Sequence, residues 1–227
     1  IWYNLKQIHT KGAFQMKTPN ISQEQILSIL DACYTKVLEG IPNTKDCNDM
    51  ASEYLQKYTT PEKAAHEFAK WQIAKCSTSG FLTSLGGLVT LPIAVPTNLV
   101  TVWYVQLRMI ATIAIMGGYN PEDDEVQTLA YLCLTGSSIT KICREAGVQF
   151  ANKFTMSMIK KIPGEIFKKI NQRVAFRFIT KAGTTGIINL TKLVPIAGGV
   201  VGGAVDFIGT KTIAQKSTNV FIKDKID

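Results

Sequence analysis

The sequence predicts an all-α fold, a compact multi-helix bundle in which two Gly-rich apolar helical segments pack together. Helix start and stop signals recur along the chain, where capping residues and N-terminal prolines precede apolar positions spaced three and four apart. No alternating run is long enough to demand a sheet. One stretch, Cys76 to Pro121, spans 46 residues with a single charge, Arg108, where a chain with 19% charged residues should place about nine. Such a gap requires burial on nearly all sides, in protein or in lipid.

The elements follow in order. Residues 1–20 carry Lys6, Lys11 and Lys17 with no acid and read as an irregular basic segment ahead of a single helical domain at 21–227. Ser22 caps a helix through Ile26, Ile29, Leu30, Cys33 and Val37, stopped by Gly40 and Pro42. A short helix follows from about Asp46 to Lys57. Thr60-Pro61-Glu62 supplies a capping hydroxyl, a proline at the first helical position and an acid in the first turn, for a helix to about Ser77. Gly86-Gly87 and the Pro92/Pro96 pair break helix continuity in the charge-poor stretch, so that residues 81–91 form one apolar limb and a longer one runs from Thr97 to Met116. Asn120-Pro121-Glu122 repeats the proline start and launches a helix through Leu129 and Cys133. Gly136-Ser137-Ser138 ends it, and another helix is expected to run to about Met158. Pro163-Gly164 opens a helix in which Ile162, Ile166, Ile170, Val174 and Phe178 recur at i+4. Beside them runs a row of Lys161, Glu165, Lys169, Arg173, Arg177 and Lys181. Leu193 to Val205 is the second apolar segment, with Gly198/Gly202 and Gly199/Gly203 offering a strip for close helix approach.

The limb from Thr97 to Met116 has the length of a membrane span. Asn98, Gln106 and a nearly central Arg108 stand against that reading, because an unpaired arginine at bilayer depth costs at least ~2.5 kcal/mol. Each apolar segment contains one charge, Arg108 and Asp206, and buried charges persist when paired. The expectation is a helix-on-helix core with Arg108 against Asp206. Thr210, one turn beyond Asp206, adds a polar group to that neighbourhood.

The net charge of +8 is localised. Between Lys141 and Lys192 eleven Lys/Arg stand against Glu145 and Glu165, and the rest of the chain nets −1. Lys160, Lys161, Lys168, Lys169, Arg173, Arg177 and Lys181 form a basic face suited to an anionic surface, each cation contributing ~1 kcal/mol near lipid. The apolar row either enters the acyl boundary or faces the domain core while cations alone touch headgroups. Trp71, Trp103 and Tyr104 suit either interfacial anchoring or core packing. Phe167, Phe176 and Phe178 lie among the cations, yet no nucleic-acid reading motif accompanies them, so nucleic acid is not the expected partner. A solvated bundle face is the plainest account of the same charges.

Catalytic sets are not apparent. Ser84-Leu85-Gly86-Gly87 lacks the glycine two positions before the serine that a nucleophile elbow needs. Gly209-Thr210-Lys211-Thr212 has the letters of a phosphate loop in the wrong order. His66 reads as a helix-surface residue. Five scattered cysteines without a CxxC pattern read as reduced residues, and with two histidines no metal site or cofactor is expected. The chain starts at Ile1, as expected of a processed or truncated product, and its first residues show no signal-peptide pattern.

Two stretches carry a resemblance. GFLTSLGGLVTLPIAVPTNLVTVWYVQLRMIATIAIMGGYNPED and KLVPIAGGVVGGAVDFIGTKTIAQKSTNVF resemble the two hallmark regions of the EcsC family, over about residues 80–124 and 192–222. The first offers a Gly-rich apolar run, a Pro-x3-Pro element, Gln-Leu-Arg and a Gly-Tyr before an acidic helix start. The second offers a proline, a glycine cluster, Asp206, Thr210, Ile213-Ala214 and Phe221. The resemblance implies a helical, membrane-associated bacterial domain without defined chemistry, in a family named for a protein encoded beside an ABC transporter. Ala94, Val95 and Asn98 are uncharged where members are more acidic, which argues against a carboxylate-based activity at that loop.

The expected function is therefore non-enzymatic: a peripheral domain at the cytoplasmic face of a membrane, binding anionic phospholipid or a membrane protein such as a transporter. Two alternatives stand beside it. One is a membrane-linked enzyme or transporter accessory factor with a polar site near Arg108, Asp206 and Thr210. The other is a membrane-inserting toxin or effector domain built on the glycine-rich segments.

Overall fold

The computed structural model describes residues 21–42, 44–76, 97–149, 159–184 and 201–225, with backbone only at 75–76, 97–99, 181–184 and 201–208. Among the described residues there are eight helices and no strand: α1 (Gln23–Glu39), α2 (Cys47–Lys57), α3 (Pro61–Cys76), α4 (Thr97–Met116), α5 (Asp124–Leu134), α6 (Ile139–Glu145), α7 (Gly164–Thr184) and α8 (Val201–Ile222). The expected irregular segment at 1–20 and the limb at 81–91 lie outside them.

Local chemistry sets most boundaries. Ser22 and Gln25 close a reciprocal capping box on α1, and Gly40, at φ 76°, ends it. Asp46 accepts the Asp49 amide at 2.7 Å to start α2, and Thr60 accepts the Lys63 amide at 3.2 Å to start α3. The expected proline start at Pro121 is corrected. Asn120 accepts the Glu122 amide through its side chain, and its backbone carbonyl accepts the Asp123 amide, so Asn120–Asp123 forms a turn. Helix α5 begins only after Asp123. The helix expected to reach Met158 is also shorter: α6 ends at Glu145, where the Ala146-Gly147 turn takes Gly147 to φ 90°.

Helix α4 is the hub. It packs against α1, α2, α3, α5 and α8, and α8 also lies along α3. From Val100 to Met116 its side chains are buried except Val102, Arg108 and Ile115, which are half-buried. A helix apolar all round belongs inside a core when other helices surround it. The charge-poor run thus folds, over its described part, as a protein interior. Among the described residues no helix is long and apolar enough to cross a membrane. Trp103 and Tyr104 are core residues, and the Trp103 ring lies 5.0 Å, centroid to centroid, from that of Phe178 of α7, tilted 56° to it.

Helix α7 lies on α1, α5 and α6. Ile170, Val174 and Ala175 are buried in that contact, and Ile166, Phe167 and Phe178 are half-buried against the core. This one-sided burial turns the opposite face of α7 outward.

Candidate functional site

On α7 and the turn before it, Lys160, Lys161, Lys168, Lys169 and Arg173 are exposed. None of the five makes an ion pair among the described residues. Arg177 differs. It is half-buried and donates to Glu145 at 2.5 Å, tying α7 to the end of α6. Lys181 belongs to α7, and its side chain lies outside the described residues.

The basic face borders a groove of about 620 Å³ between α7, the α6 end and the start of α1. Lys169, Gln172, Arg173 and Phe176 form one wall, Glu145 with the Ala146-Gly147 turn another, and Gln23 a third. Phe176, at 44% exposure, is an apolar plate among cations. Gly147 sits at φ 90° with nothing within 4 Å of a would-be Cβ, so the turn leaves its side of the groove open. The groove escapes sequence reasoning because Gln23, Glu145 and Gln172 come from separate helices. The one sequence signal was Glu145, one of only two acids in a basic region.

The other predicted polar residues fall on two sides of α4. Arg108 is half-buried and donates to the Lys45 carbonyl, between α1 and α2. Gln106, two residues earlier and so about 200° away around the helix, faces α8 and donates to Thr210 Oγ1 at 3.1 Å. Both members of that pair are buried, Gln106 at 7% and Thr210 at 1% exposure. Thr210 thus serves as a helix-to-helix hydrogen bond. Asp206 is on α8 one turn before it; its side chain, and with it the expected Arg108–Asp206 contact, lies outside the described residues. Gln106 stands out in the sequence as polar in an apolar run, but the sequence does not name its partner; the need of a buried amide for one is the signal that could have led to Thr210.

Cys33, Cys47, Cys133 and Cys143 are buried, and His66 is on the exposed side of α3. Among the described residues no cluster of His, Cys, Asp or Glu has the composition of a metal site.

The family model described as the EcsC protein family matches residues 6–223, nearly the whole chain. No curated protein and no solved structure matches it significantly.

Proposed function

Because the chain belongs to the EcsC protein family, we propose that it is a non-enzymatic peripheral domain that binds anionic lipid at the cytoplasmic face of a membrane through the outer face of α7. The observation that carries this reading is the division of that helix. Ile170 and Val174 are buried in the bundle while Lys160, Lys161, Lys168, Lys169 and Arg173 are exposed together. Of the two modes open to a basic amphipathic helix, this division favours electrostatic docking over insertion of the apolar row. Thr210 is occupied by Gln106, which weighs against a polar catalytic centre around it.

Flotation with phosphatidylcholine vesicles, with and without phosphatidylglycerol, tests the proposal. Binding is expected only to the anionic vesicles and is expected to fall at high salt, because exposed charges are screened beyond ~10 Å at about 0.1 M. Lys169→Glu with Arg173→Glu changes the face by four charges. At ~1 kcal/mol each this removes about 4 kcal/mol, roughly a thousandfold in partitioning. Salt-resistant binding would instead mean insertion, and no flotation would remove lipid as the partner and leave a membrane protein.

A further inference from the structure

The groove beside Lys169 and Arg173 has a more specific character than a charged surface. The two cations stand one turn apart on α7, so their Cβ atoms are ~6 Å apart, and both line the same cavity of about 620 Å³. Its lining contains one carboxylate, Glu145, and that carboxylate is already neutralised by Arg177 at 2.5 Å. Two cations therefore face the groove without a counter-charge from its walls. Gln172 and Gln23 add amide donors, and exposed Phe176 adds an apolar surface beside the charges. Glycine at position 147, with φ 90° and open space around it, keeps the opposite wall low enough for a group to enter from the surface.

A phosphodiester headgroup brings one negative charge and would leave one cation uncompensated. A phosphomonoester brings ≈ −1.5 to −2 and three strong acceptor oxygens, enough for Lys169 and Arg173 together with an amide donor. We propose that this groove is a subsite for a lipid headgroup that ends in a phosphomonoester. The inference rests on the lipid-surface reading above and narrows it from charge to headgroup chemistry. Phe176 then lies against the glycerol or upper acyl region, and Arg177 is a positioning residue that keeps Glu145 from competing for Lys169 or Arg173.

The test compares phosphatidylcholine vesicles doped with phosphatidic acid against vesicles doped with twice as much phosphatidylglycerol, so that surface charge matches, at about pH 8 where the monoester is doubly ionised. The full chain is expected to bind the phosphatidic acid vesicles roughly tenfold more tightly, the ratio that one further charge-assisted hydrogen bond supplies. Lys169→Gln and Arg173→Gln, both on exposed side chains, should each erase that preference. Lys160→Gln with Lys161→Gln, away from the groove, should weaken both vesicle types equally. Glycerol 3-phosphate should compete with the phosphatidic acid vesicles more strongly than with the phosphatidylglycerol vesicles. Equal binding to the two charge-matched surfaces overturns the groove inference and leaves the surface reading standing. Failure to bind either overturns both. Binding of glycerol 3-phosphate in solution without vesicle binding overturns the lipid assignment, since the groove would then take a free phosphate ester.

Discussion

Replacing Thr210 by valine removes one oxygen and almost no volume, from a position that is 1% exposed. The structure makes that oxygen the partner of Gln106 Nε2, 3.1 Å away across the α4–α8 interface. With valine, the Gln106 amide stays buried without this acceptor, which costs the desolvation of an unsatisfied donor, about 1–3 kcal/mol. Replacing Gln106 by leucine is expected to cost less, about 1 kcal/mol or below. The hydroxyl left behind can turn to the carbonyl one turn back in its own helix, as Ser217 does toward Ile213 at 2.8 Å. The double variant Gln106→Leu with Thr210→Val leaves neither group orphaned, and its stability should return close to that of the parent chain. The asymmetry is the diagnostic feature: the double change is milder than Thr210→Val alone, with a coupling of at least about 1 kcal/mol in a double-mutant cycle. Urea unfolding followed by far-UV circular dichroism measures all four chains. Additive losses, or a harmless Thr210→Val, would refute the idea that this bond joins the two helices. A loss of lipid binding with stability unchanged would likewise show that Thr210 belongs to a working site.

Other consequences are as direct. A Cβ on Gly117 would stand 1.9 Å from the Phe221 carbonyl oxygen, so Gly117→Ala should force α8 away from the end of α4 and cost about 1–3 kcal/mol, read as a lower urea midpoint. Burial pushes the Cys33 thiol up to about 12 from an ordinary value of 9.0. Tyr34 is raised chiefly by burial, as is Tyr131, with the Asp31 carboxylate adding to it. In each case the folded chain holds a proton that the unfolded chain releases. The stabilisation is therefore complete below the unfolded values, about 9 for the thiol and 10 for the phenols, and is lost as pH rises through and beyond them. Urea midpoints should be steady near neutrality and fall above about pH 9. Tyrosinate absorbance of these phenols should rise together with unfolding, and a rise that precedes it would contradict their burial. Finally, Arg177→Ala should lower stability modestly by freeing Glu145 at the α6 end, and Glu145→Gln should rescue part of the loss in a thermal melt.

Much of the fold was legible because the local signals are strong where side chains and backbone agree. Ser22 with Gln25, Asp46 and Thr60 with Pro61 start helices where their hydroxyls and carboxylate accept first-turn amides. Two boundaries were misjudged for one reason, competition by local turns. Asn120 offered its own side chain to the following backbone, displacing the start of α5, and Gly147 took a positive φ that stopped α6. The basic row of α7 was readable from its period, but its two rows were not equivalent in space. The sequence shows that Arg177 belongs to the row; only the approach of α6 shows that Glu145 occupies it.

The charge-poor stretch divides the two kinds of knowledge most clearly. Sequence alone determined that its residues must leave water, because apolar side chains without charge have no other stable place, and that Arg108 makes lipid a costly one. It also determined that the basic residues gather on one helix. Which medium surrounds residues 100–116 was decided by the tertiary structure, where α1, α2, α3, α5 and α8 enclose α4. So was the partner of each polar residue, since contacts between positions as far apart as Gln106 and Thr210 depend on how whole helices cross. Periodicity fixes the face a side chain takes on its own helix; the packing of the other helices fixes what that face meets.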